Sequence, residues 1–257
     1  MRARRGQVDV KMGGVLVAPL WDLAALALRL HDIGAPAGRV HVLRNGVDTE
    51  RFTPQPDARQ RLGVAGSPLL LSVGNLLPVK RHGLVIEALA LLRQTHPQAR
   101  LAIVGAGPLQ AELAAQAAAL GLCDAVQLVG AVPQDELLQW YSAADLLVLA
   151  SSREGWPNVL LEAMACGVPT IGSQTGGIPE LIQHGKTGFL APIGDTSAMA
   201  KYAVKLLSDE EMTEQFRKAC LERSCNDFSR DSITNQYEDI YYRVLGRKVL
   251  GMDTIRG

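Results

Sequence analysis

Leu146-Leu-Val-Leu-Ala150-Ser-Ser-Arg-Glu154-Gly-Trp-Pro-Asn158-Val-Leu-Leu-Glu162-Ala-Met-Ala-Cys166-Gly-Val-Pro169-Thr-Ile-Gly172 contains a complete structural unit. An apolar run, Leu146–Ala150, leads into a polar loop. Pro157 and Asn158 then open a helix that runs to Cys166, Gly167 stops it, and a second apolar run, Thr170–Gly172, follows. Proline is tolerated at a helix start, where its missing N–H would have no partner, and glycine suits the left-handed residue that ends a helix. Uninterrupted apolar runs are what strands need when both sheet faces are covered. A strand, a helix and a second strand of this length predict two parallel strands joined by a right-handed crossover.

The same rhythm extends in both directions. Further strands are predicted at His41–Arg44, Leu69–Gly74, Arg100–Gly105 and Val126–Gly130, with helices at Lys80–Thr95, Leu109–Leu120 and Gln134–Ala143, the second stopped by Gly121. Beyond Asp195 the pattern is helical only: Thr196–Leu207, Glu210–Ser224 and Ser232–Leu245. The predicted fold class is α/β, a doubly wound Rossmann-like parallel sheet, with ligands at the carboxyl ends of its strands. Upstream, Trp21–Leu30 reads as a helix and Gly34–Gly38 as a turn, with no complete β-α unit before them. The chain divides at this level into 1–39, a linker or remnant of an earlier domain, 40–228, the Rossmann-like domain, and 229–257, a last helix and tail.

Composition narrows the function. A chain of 257 residues with 47% hydrophobic content can fill a substantial core. Twenty-six basic residues balance twenty-six acidic ones, so no global field draws nucleic acid or an anionic membrane. Cys123, Cys166, Cys220 and Cys225 lack C-x-x-C spacing, which favours free thiols and a cytoplasmic setting. Leu20–Leu30 is too short and too charged to span a bilayer, and Met1–Arg5 is not followed by the apolar core of a signal peptide.

Four stretches carry candidate chemistry. In Ser72-Val-Gly74-Asn75-Leu-Leu-Pro-Val-Lys80-Arg81, a glycine ends a strand and two cations stand near the next helix. They suit a diphosphate, with a solvated strand–turn–helix as the competing reading. Val104-Gly105-Ala-Gly107-Pro108 departs from the dinucleotide fingerprint, because Gln110 stands where the third glycine belongs. Gly105 and Gly107 fit either a tight turn or a close ligand approach, and NAD is disfavoured. At the start of the Asn158 helix the amides of Val159 and Leu160 offer a phosphate site. Glu162, about one turn in, can accept both hydroxyls of a ribose, and Glu154 those of a second sugar. The alternative is that Glu154 is a loop charge and Glu162 complements the helix dipole. Finally, Ser173-Gln-Thr-Gly176-Gly177-Ile-Pro-Glu180 reads as a turn bordering the same cleft. No Asp-x-Asp pair and no His or Cys cluster has metal-ligand spacing, so no metal is expected to hold the diphosphate; the five histidines are scattered and read as structural or exposed.

Together, Asn45-Gly-Val-Asp48 with Phe52 and Pro54, Gly74 with Lys80, Gly105-Ala-Gly-Pro108, Ala143-Ala-Asp145, and Glu154 followed by Glu162 and Ala165-Cys-Gly-Val-Pro169 resemble the retaining GT-B glycosyltransferases of family 4, over Val40 to Pro192. The resemblance implies the C-terminal, donor-binding half of a GT-B fold. It implies a UDP- or GDP-linked sugar donor, a sugar, lipid-linked or glycan acceptor, no cofactor and no obligatory metal. Lys80 and Glu154 are then the catalytic positions, Lys80 on the diphosphate and Glu154 on the donor sugar. Glu162 takes the ribose, Gly155 and Trp156 offer amides near the sugar, and Asn158, Val159 and Leu160 near the phosphates. Asn75 departs from the family's usual arginine, leaving Arg81 as a substitute cation. The N-terminal half, with its acceptor site, is represented only by a stub at Trp21–Arg39, and Gly13-Gly14 is not the family's Gly-rich loop.

The resulting expectation is transfer of a hexosyl group with retention of configuration. The rival is a donor-binding or regulatory module, or an inactive remnant, that works with a separate acceptor-binding chain; an epimerase is disfavoured. The expected location is cytoplasmic, with peripheral membrane contact left open.

Overall fold

The structure, a computed structural model, describes residues 30–36, 40–42, 44–64 and 68–244. The readings of Met1–Arg5, Gly13-Gly14 and Trp21–Arg29 lie outside these residues. The described chain forms one six-stranded sheet in the order β3-β2-β1-β4-β5-β6, every neighbour parallel. The strands are β1 (Leu69–Val73), β2 (Arg100–Val104), β3 (Val126–Gly130), β4 (Leu146–Leu149), β5 (Thr170–Ser173) and β6 (Gly188–Ala191). Helices α1 (Ala58–Leu62), α2 (His82–Leu92), α3 (Gln110–Ala119), α4 (Gln134–Ala143), α5 (Asn158–Ala165) and α6 (Ile178–Leu181) alternate with them. α7 (Thr196–Leu207), α8 (Glu210–Phe228) and α9 (Arg230–Val244) close the chain.

Strand alternation explains why both faces are covered. Leu69, Leu71 and Val73 of β1 join Ala102, Val104, Leu147 and Leu149 in one core layer, closed by residues of α1, α4 and α5. Leu70, Leu101, Ile103, Leu146 and Val148 point the other way, into a layer closed by α2, α3 and α7. Apolar residues at successive positions of the central strands β1, β2 and β4 are therefore buried on both faces, which is the signature of a doubly wound sheet. The helix starts of α7 and α8 are fixed by Asp195 and Asp209, whose carboxylates accept from the amides of Ala198 (2.8 Å) and Met212 (2.9 Å).

Three expectations change. His41–Arg44 is not a strand in its described residues. Arg44 pairs instead with Glu180, and three residues on, the chain docks on the α8–α9 junction, where the Val47 amide donates to the Phe228 carbonyl (2.8 Å) and the Arg230 amide to the Val47 carbonyl (3.0 Å). The sheet has a sixth strand, β6, where none is expected, because Gly188–Ala191 is short and begins with a glycine. That glycine is required: a Cβ on Gly188 would lie 2.0 Å from the Thr170 carbonyl oxygen. The helix expected from Lys80 begins at His82, after a 3-10 turn, Pro78–Lys80, and an Arg81 held at φ 51°.

Candidate functional site

Strand order reverses between β1 and β4, since chain connections leave β1 toward β2 and β3 but leave β4 toward β5 and β6. The two loops that leave those carboxyl ends diverge and open a crevice between them. One is Gly74–Lys80; the other is Ser151–Pro157. They are tied together by the Ser152 amide, which donates to the Val79 carbonyl at 2.9 Å. This tie sets Lys80 against Glu154, and the Lys80 Nζ donates to Glu154 Oε1 in an ion pair whose side chains are only 22% and 12% exposed.

A second turn braces the Glu154 loop from the β5 side. The Gly177 amide donates to the Gly155 carbonyl at 2.9 Å, and Thr175 Oγ1 to the Ser152 carbonyl at 3.3 Å. The approach is so close that a Cβ on Gly176 would stand 1.7 Å from the Glu154 carbonyl oxygen, and one on Gly177 2.1 Å from that of Gly155. Gly105 and Gly107 have the same meaning on the other side. Cβ atoms there would meet the carbonyl oxygens of Gly74 (2.1 Å) and Leu76 (2.6 Å), so these glycines let the loop after β2 lie against the loop after β1. Gly74 itself adopts φ 151°, which glycine alone takes easily. Asn75 is exposed on that loop, and Arg81 is exposed with its guanidinium against Gly194, away from the Lys80–Glu154 pair.

The end of the Ser151–Pro157 loop and helix α5 supply the rest. Trp156 is 7% exposed: its indole N–H donates to the Asn45 carbonyl (3.1 Å), its ring meets Phe228 edge-on, and the Arg44 guanidinium lies over it. Arg44 in turn pairs with Glu180. Asn158 is exposed and accepts from Asn45 Nδ2 at 3.3 Å, while Val159 packs on the core. Leu160 is fully buried, and its amide already donates to the Pro157 carbonyl (3.0 Å), so it is less open to a phosphate than its position suggests.

Glu162 is half-buried at the same end. Tyr141 of α4, 0% exposed, donates its hydroxyl to Glu162 Oε2 at 2.7 Å. Burial raises the Glu162 carboxyl above its ordinary value of 4.5, while the Tyr141 hydrogen bond and the charge of Arg51 pull it down. Burial, then the charge of Glu162, pushes the Tyr141 phenol well above 10, so it remains a donor. Arg51 donates to Asp135 at 2.6 Å. His82 lies 2% exposed beneath the Gly74 loop, with Nδ1 3.0 Å from Ser72 Oγ, and burial lowers its ionisation.

Sequence reasoning had no signal for Tyr141, Arg51 or His82. A tyrosine inside an amphipathic helix reads as core, and only packing of α4 on α5 gives its hydroxyl a partner. The Ala143-Ala-Asp145 motif turns out to serve the opposite, amino-terminal ends of the strands, where Asp145 accepts from the Leu69 amide (2.7 Å) and pairs with Arg59 and Arg217. Among the described residues no group of three or more His, Cys, Asp or Glu side chains could hold a metal ion, and no helix is long and apolar enough to cross a membrane.

A six-stranded parallel sheet wound on both faces, with a polar crevice at the reversal of strand order, defines a Rossmann-like domain of the GT-B type. The chain belongs to the glycosyl transferases group 1 family, whose profile matches residues 54–223. It is 37% identical over 219 residues to the N-acetyl-alpha-D-glucosaminyl L-malate synthase of Bacillus anthracis, covering 84% of this chain and 56% of that protein. The HepE protein of Anabaena, solved in complex with UDP, is similar at 27% identity and TM-score 0.79, over 87% of this chain and 63% of that one. The C-terminal domain of the group 1 protein LpcC from Francisella tularensis shares the fold, with TM-score 0.68 at 24% identity, over 72% of this chain and all of that domain. The chain spans about half the length of the curated relatives it matches.

Proposed function

We propose that this chain is the donor-binding half of a retaining hexosyltransferase that uses a nucleotide-diphosphate sugar. The observation that supports the reading is the Lys80–Glu154 ion pair, which joins the two loops flanking the reversal of strand order; Glu162 stands in the helix that continues from the Glu154 loop. Lys80 neutralises the diphosphate, Glu154 holds hydroxyls of the donor sugar, and Glu162 accepts from the ribose hydroxyls. In the free chain Lys80 and Glu154 satisfy each other. Donor binding therefore replaces one ion pair by two separate contacts, the ammonium turning to phosphate and the carboxylate to sugar. Both groups are already partly out of water, so their reorientation forfeits little hydration.

In the reaction so proposed, the bond between the anomeric carbon and the diphosphate oxygen breaks and its electron pair stays on the diphosphate. The acceptor oxygen bonds to the same face of that carbon, and the departing phosphate oxygen takes the acceptor proton. Lys80 and the start of α5 stabilise charge that grows as the bond lengthens, which lowers the barrier more than it tightens donor binding. No metal is required by this scheme, because fixed positive charge is available from the protein. The acceptor is bound by the other half of the GT-B architecture. UDP is the first nucleotide to test, since the similar HepE structure contains it. The free thiols of all four cysteines support a cytoplasmic setting.

Calorimetric titration with UDP and GDP tests the donor site. One of the two is expected to bind, and Glu162→Ala is expected to weaken it by about tenfold or more, the loss of a charge-assisted hydrogen bond being about 1.5–3 kcal/mol. Binding that is indifferent to Glu162→Ala and Lys80→Ala together rules out this site.

A further inference from the structure

We infer that Tyr141 is a positioning residue for nucleotide recognition: its hydroxyl fixes the Glu162 carboxylate in the orientation that receives the ribose hydroxyls. The inference rests on the proposed role of Glu162 and adds the means by which that side chain is held ready. Glutamate has three rotatable side-chain bonds, and a carboxylate at the mouth of a crevice samples several orientations unless something holds it. Here one group does. Tyr141 projects from α4 with no exposed surface, its ring seated edge-on against Phe52 at 6.2 Å, and its only polar atom donates to Glu162 Oε2 at 2.7 Å.

The stoichiometry of the carboxylate is what makes this a device rather than a buried hydrogen bond alone. Two carboxylate oxygens offer about four lone-pair sites, and the phenol occupies one of them. Among the described residues no other hydrogen bond reaches the Glu162 carboxylate, on which Arg51 acts by its charge, so Oε1 and the second lone pair of Oε2 remain for a ligand. A vicinal diol needs two such sites side by side. The phenol also keeps its proton, since burial and the neighbouring carboxylate both oppose its ionisation. The tyrosine thus donates wherever Glu162 is ionised, and the charged carboxylate is presented as the acceptor. A phenylalanine would fill the same space and leave the carboxylate free to rotate.

The test compares UDP with 2′-deoxy-UDP, because the ratio of their affinities reads the hydroxyl contact alone and cancels the phosphates. The wild-type chain is expected to favour UDP by about tenfold. Tyr141→Phe is expected to bring that ratio to about threefold or less while 2′-deoxy-UDP binds nearly as before. Tyr141→Met, a second variant without a donor, is expected to do the same should the phenylalanine variant fold poorly. Phe52→Leu loosens the seat of the ring but retains the hydroxyl, and is expected to lower stability with the ratio unchanged. A wild-type ratio preserved in both Tyr141 variants overturns the inference and leaves Glu162 in place. A wild-type chain that binds UDP, or GDP where that is the nucleotide it takes, no better than the matching 2′-deoxy form, or that binds none of them, overturns the role of Glu162 and the inference with it.

Discussion

At the amino ends of the strands, Asp145 receives the Leu69 amide and the guanidinium groups of Arg59 and Arg217. At the carboxyl ends, Glu162 receives one phenol and Glu154 one ammonium. The two regions use the same chemistry, a half-buried carboxylate among donors, and differ in how completely it is satisfied. Asp145 is shared among three partners from three elements, so it locks the start of β1 to α1 and α8. Glu162 and Glu154 hold acceptor capacity in reserve, which in a partly desolvated crevice is costly unless something else uses it. Saturation marks an acid that serves the fold; reserve capacity marks one that serves a ligand.

The largest effect that can break this comparison is on stability. Asp145→Ala removes the carboxylate shared by two guanidinium groups and a strand amide, and is expected to cost roughly 2–3 kcal/mol, below the full cost of breaking a buried pair because water still reaches this site. Urea unfolding checks it; a loss under about 0.5 kcal/mol would put Asp145 among ordinary surface charges. UDP affinity of that variant is expected to match the wild type.

Lys80→Ala sharpens the contrast by reversing it. Loss of a partly exposed pair is expected to change stability by about 1 kcal/mol or less. UDP affinity is expected to fall by about tenfold or more, measured by calorimetry, because the lost contact is charge-assisted. Equal losses in stability and affinity would make the pair structural.

The smallest effect is the most diagnostic. Glu162 titrates above its ordinary 4.5 in the folded chain, so the folded state holds more protons than the unfolded one between those two values. Its contribution to stability is therefore present at low pH and is lost as pH rises through that interval. Ribose recognition has the opposite sign, since hydroxyls donate best to the charged carboxylate. The preference for UDP over 2′-deoxy-UDP is expected to grow as pH rises from about 4.5 to about 7, and Glu162→Gln to flatten it. A preference that shrinks with pH would mean that the protonated carboxyl is the recognising form.

Much of this was readable in the chain itself. Apolar runs such as Leu146–Ala150, with helices at the right lengths between them, dictate a parallel sheet because no other arrangement covers both faces. The bounds of α4 and α7 follow from their own periodicity and ends, and the Glu154, Glu162 and Lys80 positions stand out as charges beside strand termini. β6 was not readable: a short run beginning with Gly188 becomes a strand only because β5 offers an edge and Thr170 leaves no room for a side chain. His41–Arg44 was misleading for the converse reason. An apolar run is a strand only when an edge is available to pair with it; here Arg44 pairs with Glu180, and the chain meets the α8–α9 junction only further on, at Val47.

The site divides along the same line. Sequence by itself determined which groups could meet a sugar nucleotide, since charge, hydroxyl-accepting capacity and proximity to a helix start are properties of residues and their immediate neighbours. Only the tertiary structure decided which of them meet one another. The reversal of strand order sets Lys80 on Glu154 and turns Arg81 toward Gly194, and the packing of α4 on α5 fastens Glu162 through Tyr141. These pairings join residues far apart in the chain. Their geometry depends on how strands are ordered and helices stacked, and no local pattern of residues encodes that order.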